Sequence, residues 1–397
     1  MTQAQVVIVG AGHAGFTAAA SLRRNGYAGA IALITAESCL PYQRPPLSKG
    51  YLDGLREDRL SFRPEHFYER KGIELLRAYR VEEIDRTAKA VVPASGESLR
   101  YDHLILATGS TPQAARLPGN DLDGVFRLHR RADADALRER LVTAREVVIV
   151  GGGFIGLEFA AHARGRGKNV TIVEAADRLM ARAVTPVMSE FFLREHVSAG
   201  SRVLLDTPVA RLVGGDGSRV QGVELHDGSL VKADLVVVGV GVRANTGLAE
   251  RAGLAVNDGV LVDRCLRTSD PDIFAIGDCA SYPYRNRRAR HECVENAVGQ
   301  AHAVAGTLTS GESQPYRRTP VFWSDQADLK LQIVGDFSGS DRTEVISDPA
   351  GRSFSVNCYR DGALIAVESV NRPSDHVAAR KLVDRSGCSS PAQAEGS

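Results

Sequence analysis

Two glycine-rich stretches in this chain have the spacing that holds the pyrophosphate of a dinucleotide. Residues 10–15 read GAGHAG and residues 151–156 read GGGFIG, and each stretch follows a run of small apolar residues. The first glycine makes a tight turn, the second lets the backbone approach the pyrophosphate, and the third lets helix and strand pack closely. The helix start offers free N–H groups and a partial positive charge to the phosphates. The chain is therefore predicted to bind two dinucleotides, and a flavin paired with a nicotinamide would move a hydride onto the flavin.

An acidic residue follows the second strand of each glycine-rich unit. Glu174 ends the predicted strand 169–174. Glu37 stands a residue or two beyond the position that contact with the ribose requires. A carboxylate about 20 residues beyond the glycines accepts hydrogen bonds from the adenosine ribose, and Glu174 would repel a 2′-phosphate, which favours NADH over NADPH. Arg178 and Arg182 would either grip the pyrophosphate or weaken that discrimination. A purely structural glycine turn would explain one such motif, but two motifs that each carry an acidic residue favour two dinucleotides.

The elements that must position these motifs occur twice in the same order. Each unit is predicted as strand, helix and strand, at 5–10, 14–25 and 30–35, and again at 147–151, 155–166 and 169–174. Repetition of this order predicts two related βαβ domains.

The pattern changes to antiparallel β from Pro320 onward. Residues 354–359 and 363–370 are predicted strands joined by the hairpin signal Asp361-Gly362. A closing helix is predicted at 374–383, and the tail 386–397 is expected to be disordered. The fold class is therefore predicted as α/β, with two Rossmann-like dinucleotide-binding domains plus a C-terminal α+β domain with an antiparallel sheet.

Composition narrows the class of protein. The chain has 397 residues, 43% of them hydrophobic and 24% charged, with a net charge of +1. These values are typical of globular proteins and argue against nucleic acid as a main partner. No apolar run is long enough for a membrane span, and the N-terminus does not resemble a signal peptide. The 6 cysteines include no C-x-x-C pair and no metal-ligand spacing, which favours reduced thiols in a cytoplasmic protein without a metal.

Six motifs together resemble one known family. The chain resembles the FAD-containing, pyridine-nucleotide-dependent reductases of the glutathione-reductase structural family, and most of all the NADH:ferredoxin reductases of the putidaredoxin, rhodocoxin and palustrisredoxin reductase type. The motifs are PPLSK at 45–49, ATG at 107–109, GFIGLE at 153–158, GVGVRAN at 239–245, IGD at 276–278 and FWSDQ at 322–326.

This resemblance implies a cofactor for each glycine motif. The residues it assigns to FAD are Gly10, Gly12, His13, Ala14, Gly15, Glu37, Arg44, Pro45, Lys49, Val81, Ala107, Thr108, Gly109, Arg130, Gly277, Asp278, Val294, Ala297 and Trp323. The residues it assigns to NAD(H) are Gly151, Gly153, Phe154, Ile155, Gly156, Glu158, Glu174, Arg182 and Gly241. The implied domains are an FAD-binding domain at 1–113 and 244–316, an NAD-binding domain at 114–243 and a C-terminal domain at 317–397.

The resemblance also implies which residues act in the reaction. It places Lys49 by the flavin N5 edge with Glu158 facing it, where a buried ion pair would stabilise added negative charge and shape the nicotinamide pocket. Asp278 follows a buried strand and is expected to accept from a flavin ribityl hydroxyl, with a helix cap as the alternative. Trp323 is implied to lie near the flavin at the docking face, with a core tryptophan as the alternative.

The chain lacks the redox cysteine pair of the disulfide reductases in this structural family. They carry C-x4-C where Cys39 here is followed five residues later by Arg44. Electrons are therefore expected to leave the flavin directly for a one-electron acceptor, which the resemblance identifies as a [2Fe–2S] ferredoxin serving a haem monooxygenase or related oxygenase. The alternatives are a reductase for rubredoxin, monodehydroascorbate or another acceptor, and a non-enzymatic flavoprotein that senses NADH.

Basic residues are the candidates for docking an acidic ferredoxin. The run RNRRAR at 285–290 contains Arg287 and Arg288 and would raise the rate of association with an acidic ferredoxin. The alternative is a solvated loop without a partner. The resemblance adds Arg63 and His302 to the docking surface. The chain is expected to be a monomer or a weak dimer.

Overall fold

The computed structural model describes residues 6–113, 117–215, 218–285 and 287–388. The helices are α1 (His13–Arg24), α2 (Glu57–Leu60), α3 (Glu65–Arg70), α4 (Arg131–Thr143), α5 (Phe154–Gly165), α6 (Pro186–Ser198), α7 (Gly247–Arg251), α8 (Val294–Ser310) and α9 (Pro373–Cys388). The strands are β1 (Val6–Val9), β2 (Ile31–Ile34), β3 (Ile73–Leu76), β4 (Val81–Asp85), β5 (Ala90–Pro93), β6 (Leu99–Arg100), β7 (His103–Leu106), β8 (Ser110–Pro112), β9 (Val125–Phe126), β10 (Glu146–Val150), β11 (Asn169–Val173), β12 (Arg202–Leu204), β13 (Val209–Gly214), β14 (Val220–Leu225), β15 (Leu230–Lys232), β16 (Leu235–Val238), β17 (Val242–Ala244), β18 (Val260–Leu261), β19 (Ile273–Ala275), β20 (Ala280–Tyr284), β21 (Arg287–Ala289), β22 (Val321–Gln326), β23 (Leu329–Gly335), β24 (Arg342–Ile346), β25 (Phe354–Arg360) and β26 (Ala363–Val370).

The described residues divide into two compact units. The first unit comprises those within Met1–Arg44, Leu55–Thr111 and Val242–Pro320, and the second those within Pro45–Gly54, Pro112–Gly241 and Val321–Ser397. The segment Pro45–Gly54 is part of the second unit, although the sequence places it within the FAD-binding domain. The division into three domains stays a prediction.

The first unit is built on a parallel sheet with the strand order β19-β7-β1-β2-β3. In the register of this sheet, Val6 pairs with Ile31 on one side and with His103 on the other. All four residues of β1 are buried, as expected for a strand that is covered on both faces. The glycine motif therefore begins at the carboxyl end of a central strand, where open α/β sheets bind their ligands.

The second unit repeats this arrangement with the strand order β12-β11-β10-β16-β9. Val147 of β10 pairs with Val170 on one side and with Leu235 on the other. The same unit contains the antiparallel sheet β22-β23-β26-β25-β24, against which α9 packs. The predicted fold class is confirmed: two Rossmann-like parallel sheets and a C-terminal antiparallel sheet.

The C-terminal helix is longer than predicted. It spans Pro373–Cys388 rather than 374–383, so the first three residues of the predicted disordered tail are helical. The remainder of that tail, 389–397, lies outside the described residues. Among the helices of the described ranges, none is long and apolar enough to cross a membrane.

Candidate active site

The glycines of the first motif divide into two kinds. Gly10 has φ +108°, and a Cβ there would lie 2.1 Å from the Ala107 carbonyl oxygen. A Cβ at Gly15 would lie 1.8 Å from the Gly10 carbonyl oxygen, whereas a Cβ at Gly12 would meet no atom within 4 Å. The fold thus requires Gly10 and Gly15, while the backbone at Gly12 faces open space. That space is where a pyrophosphate would approach, so the residues present fit a dinucleotide.

The second motif has the same division. Gly151 has φ +103°, and a Cβ there would lie 2.5 Å from the Gly239 carbonyl oxygen. A Cβ at Gly156 would lie 2.6 Å from the Gly151 carbonyl oxygen, but at Gly153 the nearest atom would be 4.0 Å away. Beside this open backbone, Ile155 is 45% exposed.

Both motifs leave the following helix without a side-chain cap. The N-cap residues of α1 and α5 are Gly12 and Gly153, and neither helix has an acidic residue in its first turn. The N–H groups at these helix starts are therefore available to an anion such as a pyrophosphate.

The two acidic residues are held in different ways. Glu174 accepts hydrogen bonds from the backbone N–H groups of Gly152 at 2.5 Å and Ala176 at 2.8 Å. Glu37 forms an ion pair with Arg44 at 3.2 Å and accepts a hydrogen bond from the Tyr42 hydroxyl at 2.8 Å. Among the described residues, Glu174 therefore has no cation within ion-pair distance, whereas Glu37 is paired with Arg44.

The two arginines that follow Glu174 have separate roles. The Arg178 guanidinium donates to the Val184 carbonyl at 2.8 Å, to the Ser189 hydroxyl at 2.9 Å and to the Ala181 carbonyl, so it is committed to local structure. Arg182 is exposed, and a Cβ on Gly241 would lie 3.2 Å from its Nη2. Of the two, Arg182 is the one positioned to reach a ligand.

The loop that carries Asp278 comes close to the start of α1. A Cβ at Gly277 would lie 3.0 Å from the Cβ of Ala14 and 3.7 Å from that of Ala297, so three predicted FAD residues converge here. Asp278 accepts a hydrogen bond from the Ser110 hydroxyl at 3.0 Å. Burial raises the pKa of Asp278, and the hydrogen bond from Ser110 opposes that effect.

A buried glutamine supports this loop from behind. Gln300 Oε1 accepts the Gly277 N–H at 2.7 Å, and its side chain is fully buried. The sequence analysis missed both Gln300 and Ser110, which stand one turn beyond Ala297 and one residue after Gly109. Their positions next to predicted site residues were the available signal.

The remaining predicted FAD residues are spread over both units. In the first unit, Ala107, Thr108 and Gly109 directly follow β7, Val294 begins α8, and Val81 begins β4 and packs against the core of the unit. The residues that belong instead to the second unit are Pro45, Lys49, Arg130 and Trp323. For these four, contact with FAD stays a prediction.

His13, the first residue of α1, is held neutral. Its ring meets the Phe62 ring edge-on at 4.9 Å, and burial, helped by the nearby charge of Arg44, lowers the pKa of His13 to about 4. A neutral side chain therefore stands beside the N-terminus of α1 at physiological pH. The corresponding residue of α5 is Phe154, whose ring packs 4.3 Å from that of Phe322.

Lys49 and Glu158 form the predicted ion pair inside the second unit. Lys49 Nζ lies 2.6 Å from Glu158 Oε2, with the two side chains 23% and 6% exposed. The Ser48 hydroxyl donates to the same oxygen at 2.5 Å, and the Ser324 hydroxyl donates to Oε1 at 2.7 Å. Three donors therefore surround the buried Glu158 carboxyl group, and Lys49 Nζ is one of them. The sequence analysis missed Ser48 and Ser324, although each stands within a motif that carried the resemblance.

Trp323 is half-buried in β22 and precedes Ser324. Successive side chains of a strand point to opposite faces, so Trp323 lies on the face opposite Ser324 and Glu158. It is therefore not part of the Lys49–Glu158 cluster.

The predicted docking residues make different contacts. Arg288 donates to the backbone carbonyls of Val262 at 2.6 Å and Ser281, which ties neighbouring strands together. Arg287 on the same hairpin is exposed. Arg63 is exposed and lies over the Phe67 ring at 5.7 Å. Burial lowers the pKa of His302, so this residue adds no charge at neutral pH.

The described cysteine side chains form no disulfide. They belong to Cys39, Cys265, Cys279, Cys293 and Cys358. Within the same residues, no group of His, Cys, Asp and Glu side chains is arranged to hold a metal ion.

Comparison with known proteins agrees with this geometry. Residues 4–301 match the family model described as pyridine nucleotide-disulphide oxidoreductase, and residues 321–396 match the reductase C-terminal model. Rhodocoxin reductase of Rhodococcus erythropolis is 45% identical over 382 residues, which cover 95% of this chain and 89% of the relative.

Two solved structures are similar over nearly their whole length. The ferredoxin reductase for the CYP199A2 system from Rhodopseudomonas palustris has a TM-score of 0.94 and 47% identity, covering 96% of this chain and 95% of that one. The putidaredoxin reductase in a covalent complex with putidaredoxin has a TM-score of 0.92 and 35% identity, covering 96% and 93%. The family predicted from the motifs is confirmed: the chain belongs to the pyridine nucleotide-disulphide oxidoreductases and is a flavoprotein oxidoreductase that uses FAD and a nicotinamide nucleotide.

Proposed function

We propose that the chain is an NADH-dependent ferredoxin reductase, which passes electrons from NADH through FAD to a [2Fe–2S] ferredoxin serving a haem monooxygenase or related oxygenase in the cytoplasm. The observation that carries the proposal is the pair of glycine turns, each with an open second glycine, in a chain without a redox cysteine pair. The relatives named as ferredoxin and rhodocoxin reductases support the choice of acceptor.

The first glycine turn is the FAD site in this proposal. The backbone at Gly12 and the first N–H groups of α1 bind the pyrophosphate, and Asp278 accepts from the ribityl chain. Glu37 takes the adenosine ribose, with Arg44 offsetting its charge. The neutral His13 ring fills the helix start without adding a charge.

The second glycine turn is the NADH site. The backbone at Gly153 and the start of α5 bind the pyrophosphate, and Ile155 covers an apolar surface of the ligand. Glu174 has both oxygens fixed by backbone N–H groups, and their remaining lone pairs accept the two ribose hydroxyls. A 2′-phosphate would meet an unneutralised carboxylate there, so NADH is preferred over NADPH.

The Lys49–Glu158 pair acts where the nicotinamide ring binds. When bound, FAD supplies the redox chemistry, since it accepts a hydride from NADH and releases electrons singly. The Lys49 ammonium stabilises the negative charge that the transfer brings, and Glu158 holds that ammonium in place. Hydride transfer needs no proton donor, so these residues act through orientation and charge.

Turnover with different acceptors tests this function. We expect ferredoxin-dependent reduction of cytochrome c by NADH to exceed the rates with rubredoxin and with monodehydroascorbate. The ferredoxin rate should fall as ionic strength rises, because exposed charges are screened beyond about 8–10 Å at physiological salt. A faster rate with rubredoxin would assign the chain to that acceptor. Slow reoxidation by every acceptor would favour an NADH sensor instead.

A further inference from the structure

A line of buried side chains leads away from the Lys49–Glu158 pair inside the second unit. Ser324 Oγ lies 2.7 Å from Glu158 Oε1, Gln326 Nε2 lies 3.3 Å from Ser324 Oγ, and His196 Nε2 lies 2.9 Å from Gln326 Oε1. Ser324, Gln326 and His196, here named the donor chain, are 0%, 2% and 5% exposed. Ser324 and Gln326 are in β22 and His196 is in α6.

The chemistry of each group sets the direction of the hydrogen bonds. The single hydroxyl proton of Ser324 goes to the carboxylate, so its oxygen accepts from Gln326 Nε2. Gln326 Oε1 then faces His196, whose Nε2 must carry the proton. Burial lowers the pKa of His196, so the ring is neutral and has one N–H to give. Every donor therefore points toward Glu158, and each hydrogen bond polarises the next.

Three polar side chains are a costly choice for the interior of a sheet face. Apolar residues would pack there without loss of hydration, so burial of these groups needs a compensating gain. That gain lies at the end of the line, where Ser324 fixes Oε1 of Glu158 and leaves Oε2 to Ser48 and Lys49. Without Ser324, the carboxylate would lose its only described partner on Oε1 and could rotate away from the ammonium.

We propose that Ser324, Gln326 and His196 are positioning residues for the reaction, which hold the Glu158 carboxyl group oriented so that the Lys49 side chain stays fixed at the nicotinamide end of the NADH site. The positioning of Glu158 stands on the geometry alone, and its consequence for hydride transfer rests on the proposed function.

Chemical reactivity of Lys49 tests the positioning without NADH or ferredoxin. In the purified holoenzyme, reductive methylation of Lys49 measured by peptide mass spectrometry should be slow, because the contact with Glu158 Oε2 at 2.6 Å holds Lys49 Nζ in place and covers it. Glu158→Gln and Ser324→Ala should each accelerate it, the latter roughly tenfold. Ser355→Ala is the matched control, since Ser355 is 1% exposed in the same sheet and donates to a carboxylate, Asp375, at 2.8 Å. It should leave Lys49 unchanged.

The far end of the donor chain supplies a second pair of variants. His196→Leu removes the donor and should accelerate Lys49 methylation by less than Ser324→Ala, whereas His196→Gln offers an amide N–H and should restore the wild-type rate. If Ser324→Ala does not fold, the two His196 variants test the proposal in its place. In Ser324→Ala, the rate constant for reduction by NADH should fall about tenfold while the Kd for NADH changes less than about twofold.

The proposal is overturned if Lys49 reacts equally fast in the wild type and Ser324→Ala, or if Glu158→Gln leaves its reactivity unchanged. Equal acceleration by Ser355→Ala would also overturn it, since that result would mean general loosening of the sheet. If the protein shows no activity with ferredoxin but the donor chain still slows methylation of Lys49, the proposed function is refuted and the positioning of Glu158 stands.

Discussion

The two glycine turns have the same backbone and different acidic residues. In each, the first and third glycines are packed against backbone and the second faces open space. Glu37 is paired with Arg44 at 3.2 Å. Among the described residues, Glu174 has no cation within ion-pair distance and is held by two backbone N–H groups.

This difference separates what the motif specifies from what it leaves open. The glycines specify the turn, because only a residue without Cβ fits at positive φ against a neighbouring carbonyl. We propose that the choice of dinucleotide depends on the charge that remains at the ribose. In this proposal, Glu37 is paired with Arg44 and contributes hydrogen bonds alone, whereas Glu174 repels a 2′-phosphate.

Alanine substitutions at the first and second glycines of one turn should give the largest difference in folding stability. Gly151→Ala places a Cβ 2.5 Å from the Gly239 carbonyl oxygen at φ +103° and should destabilise the fold by roughly 2–5 kcal/mol, from overpacking and backbone strain together. Gly153→Ala meets open space and should leave the unfolding midpoint nearly unchanged while raising the KM for NADH. Urea unfolding and steady-state kinetics measure the two effects. Equal loss of stability in both variants would refute the division of roles.

The starts of α1 and α5 should contribute differently to the loss of folding stability at acid pH. The pKa of His13 is about 4 in the folded protein and 6.5 as the ordinary value, so between these pH values the unfolded chain takes up a proton that the folded protein excludes. Stability should therefore fall as pH drops through this window, by about 3 kcal/mol from this residue. His13→Phe, which copies Phe154 of the second turn, should remove that part of the decline. The control is a substitution of the exposed His66. If His13→Phe loses stability at acid pH as steeply as the wild type, His13 is not excluded from protonation.

Cofactor choice should respond to one acidic residue and not to the other. Glu174→Ala should narrow the ratio of kcat/KM for NADH over NADPH by roughly tenfold, because it removes a charge repulsion. Glu37→Ala is the matched control and should leave that ratio unchanged. Equal kcat/KM values for NADH and NADPH in the wild type would show that Glu174 does not discriminate.

The parts of the site that could be predicted are those fixed by short-range rules. The glycine roles and the position of Glu174 follow from local sterics and from strand ends. The pairing of Lys49 with Glu158 required a family resemblance, because 109 residues separate them and neither carries a local signal. Ser324 lies 166 residues from Glu158, and His196 lies 130 residues from Gln326. Such contacts depend on how sheets and helices pack, which sequence periodicity does not encode.

The placement of Pro45–Gly54 likewise depends on long-range contacts that the sequence pattern does not reveal. This segment contains a short 3-10 turn at Pro45–Ser48. Long-range contacts place it in the second unit: Arg166 donates to the Leu52 carbonyl at 2.9 Å and pairs with Asp53 at 3.0 Å. A charged side chain at the C-terminal cap of α5 does not reveal its partner from composition.

Electrons from NADH are expected to leave the protein for a ferredoxin without passing through a thiol. Anaerobic stopped-flow absorbance tests this directly on protein whose accessible cysteines have been blocked, mixed first with NADH and then with oxidised [2Fe–2S] ferredoxin. NADH should bleach the bound flavin, and the flavin absorbance should return as the ferredoxin is reduced, both at the rates of unblocked protein. Normal bleaching followed by loss of ferredoxin reduction in the blocked protein would contradict it, because electrons would then require a cysteine to leave.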